Sequence, residues 1–196
     1  MGSGYRNGLT AAARWVDEQP GVDRAQLGVI GFSYGGYITA QVAAMHTVFH
    51  GIALIGAPSD ASKQTYAAYA RYTRIGGWVA IKTDEILGVS EPDTLKARDM
   101  VARFAPRPLL IITGARDPAV PTRMADTLFA HAKNPKRLLR MPQASHGDYA
   151  RIDSATYGAA LREFFAPERF PAESPQASAV PADTAQQRRR PAVRRK

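Results

Sequence analysis

Three short runs of β-favouring apolar residues constrain the fold of this chain most, because helical patterns separate them and glycine or proline follows each. The runs are residues 27–30 (LGVI), 52–55 (IALI) and 109–112 (LLII). The last two are continuously apolar, as expected of central strands that are buried on both faces of a parallel sheet. The alternation of strands with helices predicts an α/β fold, a mostly parallel sheet with helices on both faces.

The remaining segments follow the helical period or extend the predicted sheet. Apolar residues at i, i+3, i+4 and i+7 indicate amphipathic helices at both ends of the domain. Residues 59–105 are too long for a simple crossover, so we interpret them as a small helical cap insertion. The predicted elements are helices over residues 9–19, 37–45 and 157–164, a helical pattern over 92–104, a helix starting near Pro121 and a strand over 137–141.

The charge is concentrated at one end of the chain. The 196 residues include 26 Lys+Arg and 17 Asp+Glu, a formal charge of +9. Residues 167–196 contain seven of the bases, three acids and five prolines, and they show no apolar period. Such a segment buries too little apolar surface to offset its ordering entropy. We therefore predict one folded domain over residues 1–166 and a disordered, basic, Pro- and Arg-rich tail over 167–196.

Composition also excludes several classes of function. The chain has no cysteine, which excludes disulfides, a cysteine nucleophile and thiolate metal sites. Its four histidines lack the paired spacing of metal ligands. No glycine-rich run carries the lysine of a phosphate-binding loop, so we expect no metal and no cofactor. No apolar run approaches the roughly 18 residues of a membrane span, and no signal peptide is recognisable. We expect a cytoplasmic protein without a membrane partner.

Residues 31–36 (GFSYGG) match the pattern G-x-S-x-G in the context that this motif requires, with a strand before it and a helix after it. The serine of this motif lies on a sharp, strained turn. We expect side chains at Gly31 and Gly35 to collide across that turn, which explains the glycines. Ser33 is thus a candidate nucleophile, and the alternative is a glycine-rich turn that only packs helix against strand.

A serine nucleophile needs a base and an acid that orients the base, here in the chain order Ser, Asp, His. Asp117 follows the strand over residues 109–112, and His146 lies in the loop before the last helix. Functional groups gather at such strand ends in parallel sheets. Individually, Asp117 is also explained by an Asx turn and His146 by an exposed loop. We interpret the other candidates as structural or surface groups: His46, His50, His131, Asp126, Asp148 and Asp153.

Three segments make the chain resemble the catalytic α/β-hydrolase domain of the prolyl oligopeptidase family, over about residues 9–165. They are GFSYGGY (31–37), GARDPAVP (114–121) and SHG (145–147). The resemblance implies a partial α/β-hydrolase fold and a serine peptidase. Carboxylesterases and dienelactone hydrolase-like enzymes share the first two segments, so an ester substrate stays open beside a peptide.

The resemblance also implies a role for each candidate residue. Ser33 would attack a carbonyl carbon, His146 would take and return the proton, and Asp117 would fix the histidine tautomer and stabilise the imidazolium. The backbone N–H of Tyr34 would be one oxyanion-hole donor. An acyl-enzyme on Ser33 follows from this mechanism.

The resemblance starts at the helix before the nucleophile strand, so about four earlier strands of the family fold and a second oxyanion donor are missing from the match. The strand over residues 27–30 is then predicted to be an edge with an uncovered apolar face, which favours pairing with a partner chain or a second copy. One hypothesis is a hydrolase completed in this way. Another is an inactive truncated fragment.

A third hypothesis assigns nucleic-acid binding to the arginines of the tail, which could contact phosphates. No aromatic residue lies among the arginines of residues 188–196, so we favour a solvated tail and expect no nucleic-acid partner. Deleting residues 167–196 should leave hydrolysis unchanged.

Aromatic residues of the cap segment suggest a substrate pocket. We expect them to line an apolar pocket that prefers hydrophobic, uncharged acyl groups, and the alternative is that they pack short helices onto the sheet. These residues are Tyr66, Tyr69, Tyr72 and Trp78.

Overall fold

A computed structural model describes residues 2–70, 73–86 and 95–166 of the chain. At its centre is a parallel sheet of four strands in the spatial order β1-β2-β3-β4. The mostly parallel α/β fold predicted from the sequence is confirmed. The strands are β1 (Gly28–Phe32), β2 (Gly51–Ile55), β3 (Leu109–Gly114) and β4 (Lys136–Met141).

Helices cover both faces of this sheet. They are α1 (Gly2–Asp17), α2 (Ser33–Met45), α3 (Ala61–Ala70), α4 (Arg74–Ile86), α5 (Ala97–Met100), α6 (Thr122–His131), α7 (Tyr149–Ile152) and α8 (Ser154–Phe164). One apolar core joins the sheet to α1, α2, α5 and α6, and a second joins it to α7 and α8. Between β2 and β3, α3 packs against α4 at the place of the predicted cap.

The burial of the two central strands, β2 and β3, explains why their sequences are apolar. Every residue of β2 and β3 is buried. Side chains alternate between the two cores, since Ile52 and Leu54 face the α2 side whereas Ala53 and Ile55 face the α7 and α8 side. A strand that is covered on both faces has no polar position, which is why the two runs are continuously apolar.

The first strand lies at the edge of the sheet. Among the described residues, β1 pairs with β2 alone. Ile30 is 51% exposed and Phe32 is 44% exposed. The uncovered apolar side chains expected at this edge are therefore present.

Among the predicted helices, two differ most from the structure at their amino ends. α1 begins at Gly2 rather than at residue 9, because contacts with α2 offset the poor helix propensity of its glycines. The Tyr5 ring lies edge-on to Tyr34 at 6.3 Å, and Arg6 Nη1 donates to Gln41 Oε1 at 3.2 Å.

The helical pattern predicted over residues 92–104 is shorter than expected. Its first part, residues 92–94, lies outside the described residues, as do Tyr72 and the tail over 167–196. Lys96 has extended backbone angles, so α5 starts only at Ala97 and continues into a single 3₁₀ turn at Val101–Arg103. In the described part of the chain, no helix combines the length and the apolar character that crossing a membrane requires.

Candidate active site

Ser33 lies where β1 passes directly into α2, at the carboxyl edge of the sheet. Its φ angle is 52°, and within the described ranges it is the only residue other than glycine with a positive φ. A left-handed conformation is unfavourable for a residue with a Cβ atom. Such local strain concentrates at functional sites, where the surrounding structure enforces it.

Two glycines allow this turn to pack closely, and one of them differs from the prediction. A Cβ on Gly31 would lie 2.5 Å from Thr39 Oγ1, as expected of a colliding side chain. A Cβ on Gly35 would meet nothing within 4 Å, so the collision predicted there is wrong. The turn at Ser33 directs Gly35 to the exposed side of α2. Gly36 is the glycine without room for a side chain, because a Cβ added there would lie 2.6 Å from Ala57 Cβ.

The structure brings Ser33, His146 and Asp117 together in one hydrogen-bonded trio. His146 Nε2 lies 2.9 Å from Ser33 Oγ, although 113 positions separate the two residues in the sequence. His146 Nδ1 lies 2.7 Å from Asp117 Oδ2. The Asp117 side chain is fully buried, whereas that of His146 is 25% exposed. A buried acid thus holds an imidazole whose other nitrogen faces the serine hydroxyl.

Backbone donors fix the orientation of Asp117. Its Oδ1 accepts hydrogen bonds from the N–H groups of Ala119 and Val120, both at 2.8 Å. The Asx turn that competed with a functional interpretation is therefore present together with the histidine contact. Because the turn occupies Oδ1, Oδ2 is the oxygen that faces His146.

The loop that carries His146 is held by Asp148. The Ser145 N–H donates to Asp148 Oδ1 at 2.7 Å, and Arg151 Nη2 donates to Asp148 Oδ2 at 2.8 Å. The Asp148 side chain is only 19% exposed. The prediction of a surface charge was wrong here, because an aspartate two residues after the histidine can bond back to the loop backbone.

Other candidates of the sequence lie away from the trio. Asp126 forms an exposed pair with Arg140, and Asp153 caps α8 through Thr156 N–H. Hydrogen bonds from the Thr156 side chain, and then from its backbone N–H, lower the pKa of Asp153. His131 Nδ1 lies 2.8 Å from the Thr127 carbonyl oxygen of its own helix. None of these groups contacts Ser33 in the described structure.

Sequence reasoning missed an aromatic wall beside the imidazole. The Phe32 ring lies 5.0 Å from the His146 ring, and the Tyr149 ring lies edge-on to Phe32 at 6.5 Å. Burial, and then the nearby Asp117 carboxylate, raise the pKa of Tyr149, so its phenol stays neutral. The one signal was proximity in the sequence, since Phe32 directly precedes Ser33 and Tyr149 follows His146 by three positions.

The amino end of α2 provides the electrostatic environment opposite the imidazole. Tyr34 is the second residue of this helix, so its backbone N–H belongs to the first turn. The positive end of a helix dipole favours a developing negative charge. Among the described residues, no three His, Asp or Glu side chains are grouped as a metal site would need.

Comparison with known sequences places this chain in a family. The model of the prolyl oligopeptidase family matches residues 3–167. The uncharacterized peptidase YuxL of Bacillus subtilis (strain 168) is 27% identical over 150 residues, which cover 74% of this chain and 22% of that protein. The chain therefore spans about a fifth of the length of this curated relative.

Solved structures agree on the fold. The acylaminoacyl peptidase of Pyrococcus horikoshii superimposes with a TM-score of 0.65 at 20% identity, over 88% of this chain and 28% of that one. The α/β hydrolase GrgF from Penicillium sp. sh18 superimposes with a TM-score of 0.63 at 20% identity, over 86% of this chain and 72% of that one. With the fold shared and the family model matching most of its length, this chain belongs to the prolyl oligopeptidase family, a family of serine hydrolases with the α/β-hydrolase fold.

Proposed function

We propose that this chain hydrolyses peptide or ester bonds through an acyl-enzyme on Ser33, in the manner of a prolyl oligopeptidase-like serine peptidase. One observation carries the proposal: His146 bridges Ser33 Oγ at 2.9 Å and Asp117 Oδ2 at 2.7 Å. Both are hydrogen-bond distances, as required between a nucleophile and its base and between the base and an orienting acid.

In the acylation half of the reaction, Ser33 Oγ attacks the carbonyl carbon while His146 Nε2 takes the hydroxyl proton. The Asp117 carboxylate accepts a hydrogen bond from Nδ1–H and stabilises the imidazolium that forms. The bond to the leaving group then breaks, and the leaving nitrogen or oxygen takes the proton from Nε2. The carbonyl oxygen carries the transient negative charge, which the Tyr34 N–H at the start of α2 stabilises.

In the deacylation half, water replaces the leaving group. His146 Nε2 takes a proton from the water as its oxygen attacks the acyl carbon, and returns that proton to Ser33 Oγ as the acyl bond breaks. The products are a carboxylic acid and free Ser33. No cofactor takes part in these steps.

Two alternatives remain beside a peptidase. A carboxylesterase or dienelactone hydrolase-like enzyme would use the same three side chains, because the scheme is the same for an ester and an amide. An inactive fragment is the second alternative, and the exposed apolar side chains of β1 are the observation that motivates it.

Labelling with a fluorophosphonate tests the proposal, because such probes react with activated serines. We expect an adduct on the peptide that contains Ser33, located by mass spectrometry, and none in the Ser33→Ala variant. Ser154→Ala is the matched control, since Ser154 is exposed on α8 and has no contact with the trio. Absence of an adduct in folded wild-type protein would favour the inactive fragment.

A further inference from the structure

A cationic pocket lies beside the cap helices, between α3, α4 and the segment from α5 to α6. The cavity has a volume of about 420 Å³, which lies within the range of small-molecule sites, about 300–1,000 Å³. Its wall combines apolar side chains with three cations. The six residues that matter here are Tyr66, Ile81, Met124, Lys63, Arg98 and Arg123.

The charge of the pocket wall is positive over the residues that the structure describes. No Asp or Glu is among the described residues that line the cavity. Asp60 is buried, and its Oδ2 lies 3.6 Å from Arg98 Nη1 and 3.4 Å from Lys96 Nζ. Arg98 also lies 3.6 Å from the half-exposed Asp99. In the described part of the chain, Lys63 and Arg123 form no ion pair and are exposed.

Two residues that line the pocket follow closely, in the sequence, on the loops that contact His146 and Asp117. Ser59 lines the pocket and follows Gly56, which lies beside His146, in the loop after β2. Arg123 is the second residue of α6. It comes three positions after Val120, which lies in the loop after β3 and whose N–H donates to Asp117. Because carboxyl ends of parallel strands meet at one edge of the sheet, the pocket and Ser33 share that edge.

We propose that this pocket binds a carboxylate carried by the acyl substrate of Ser33, an inference that rests on the proposed function for its link to catalysis. Lys63 and Arg123 pair with the carboxylate, and Ile81 and Met124 contact the aliphatic stem that joins it to the reacting carbonyl. The substrate class is thus an ester or amide of a dicarboxylic acid. This preference is the opposite of the uncharged acyl group predicted from the aromatic residues.

The positions of the aromatic side chains in the cap also favour an anionic over an uncharged acyl group. Tyr66 lines the cationic pocket. Tyr69 is 53% exposed and Trp78 is 59% exposed, so neither is enclosed by an apolar cavity. Of these aromatic residues, Tyr66 lines the pocket, and it does so beside Lys63, Arg98 and Arg123, which make the wall cationic.

The first test measures binding without turnover, in the Ser33→Ala protein. Titration calorimetry compares glutarate, the neutral dimethyl glutarate and inorganic phosphate. We expect glutarate to bind more tightly than the other two ligands, and the added double substitution Lys63→Met with Arg123→Met to weaken it at least tenfold. Lys133→Met is the matched control, because Lys133 is exposed in the loop before β4 and should leave the affinity unchanged.

The second test measures turnover of two matched esters, p-nitrophenyl hydrogen glutarate and its methyl ester. We expect a kcat/KM at least tenfold higher for the anionic ester in otherwise wild-type protein. The double variant should lose most of that ratio, and Lys133→Met should keep it. Circular dichroism and the Tm establish that each variant is folded.

The outcomes separate the pocket from the catalysis. Equal binding of glutarate and dimethyl glutarate, or unchanged binding in the double variant, overturns the anion site. Tighter binding of phosphate overturns the choice of carboxylate. Glutarate binding without a preference between the esters overturns the role in substrate selection. If neither ester is hydrolysed while glutarate still binds, the proposed function fails and the anion site stands.

Discussion

Tyr149 holds its buried phenol oxygen against the backbone of Gly56. A Cβ added to Gly56 would lie 2.7 Å from Tyr149 Oη and 3.6 Å from the His146 ring. The φ angle of Gly56 is +52°, a conformation that L side chains rarely adopt. The loop after β2 therefore approaches the imidazole through a residue without a side chain, and Tyr149 fills the remaining space.

Substituting Gly56→Ala should lower both stability and hydrolysis. The positive φ costs roughly 1–2 kcal/mol, and the overlap with Tyr149 Oη adds about 1–3 kcal/mol as in other overpacked sites. Urea unfolding and the kcat of ester hydrolysis measure the two effects. The added Tyr149→Phe substitution removes the overlapping oxygen and should restore part of both.

Gly21→Ala separates the two causes. Gly21 has a φ of +82°, and a Cβ there would meet nothing within 4 Å. It carries the backbone strain without the overlap, so it should destabilise less than Gly56→Ala and leave kcat unchanged. Equal losses in the two variants would contradict the contact between Gly56 and Tyr149.

Asp117→Asn should lower kcat by about 10³–10⁴-fold with little change in stability. The Ala119 and Val120 N–H groups require an acceptor, so the amide oxygen replaces Oδ1 and the NH₂ group turns to His146 Nδ1. That donor selects the tautomer with the proton on Nε2, which cannot take the proton of Ser33. Asp126→Asn is the control, because Asp126 is exposed and pairs with Arg140. A kcat within threefold of wild type would rule out this arrangement.

Asp148→Ala should lower kcat about tenfold while changing KM little, because it releases the Ser145 N–H and loosens the loop that positions His146. Asp148→Asn keeps an oxygen acceptor and should recover most of the rate. Arg151→Met removes the ion pair but leaves the Ser145 bond, so it should behave like wild type. If Arg151→Met and Asp148→Ala lose the same activity, the ion pair and not the loop bond is responsible.

Arg107→Met should destabilise the protein by about 2–3 kcal/mol, because a charged donor is lost and carbonyls are left without a partner. The Arg107 guanidinium donates to the carbonyl oxygens of Ala43, His46 and Phe49 at the carboxyl end of α2. Burial lowers the pKa of this arginine. Urea unfolding measures the loss, with the exposed Arg103→Met as control. Equal midpoints for the two variants would show that these hydrogen bonds add no net stability.

The sequence alone predicted the elements whose pattern is local. The apolar runs of β2 and β3 identified the central strands, because burial on both faces leaves no polar position. The proximity of Ser33, Asp117 and His146 was also expected, because each follows a strand of a parallel sheet and such strands end at one edge.

Features that depend on distant contacts were missed. Gly35 and Gly36 are adjacent residues of the same type. Only the direction in which α2 leaves Ser33 decides which of them faces Ala57. Asp148 looked like a surface charge because its partner is a backbone N–H and not a side chain. The pocket cations lie on separate elements, so no run of sequence marks them as neighbours.

The sequence separations of the contacts at the two ends of α2 also set an order of assembly. Arg107 is joined to α2 across 58–64 positions, whereas His146 meets Ser33 across 113 positions. During synthesis from the amino terminus, Arg107, which binds the carboxyl end of α2, leaves the ribosome before His146, which contacts Ser33 at its amino end. In the proposed mechanism, a nascent chain therefore has the residues that hold α2 before it has the base, and Ser33 stays unreactive until β4 and its following loop are made.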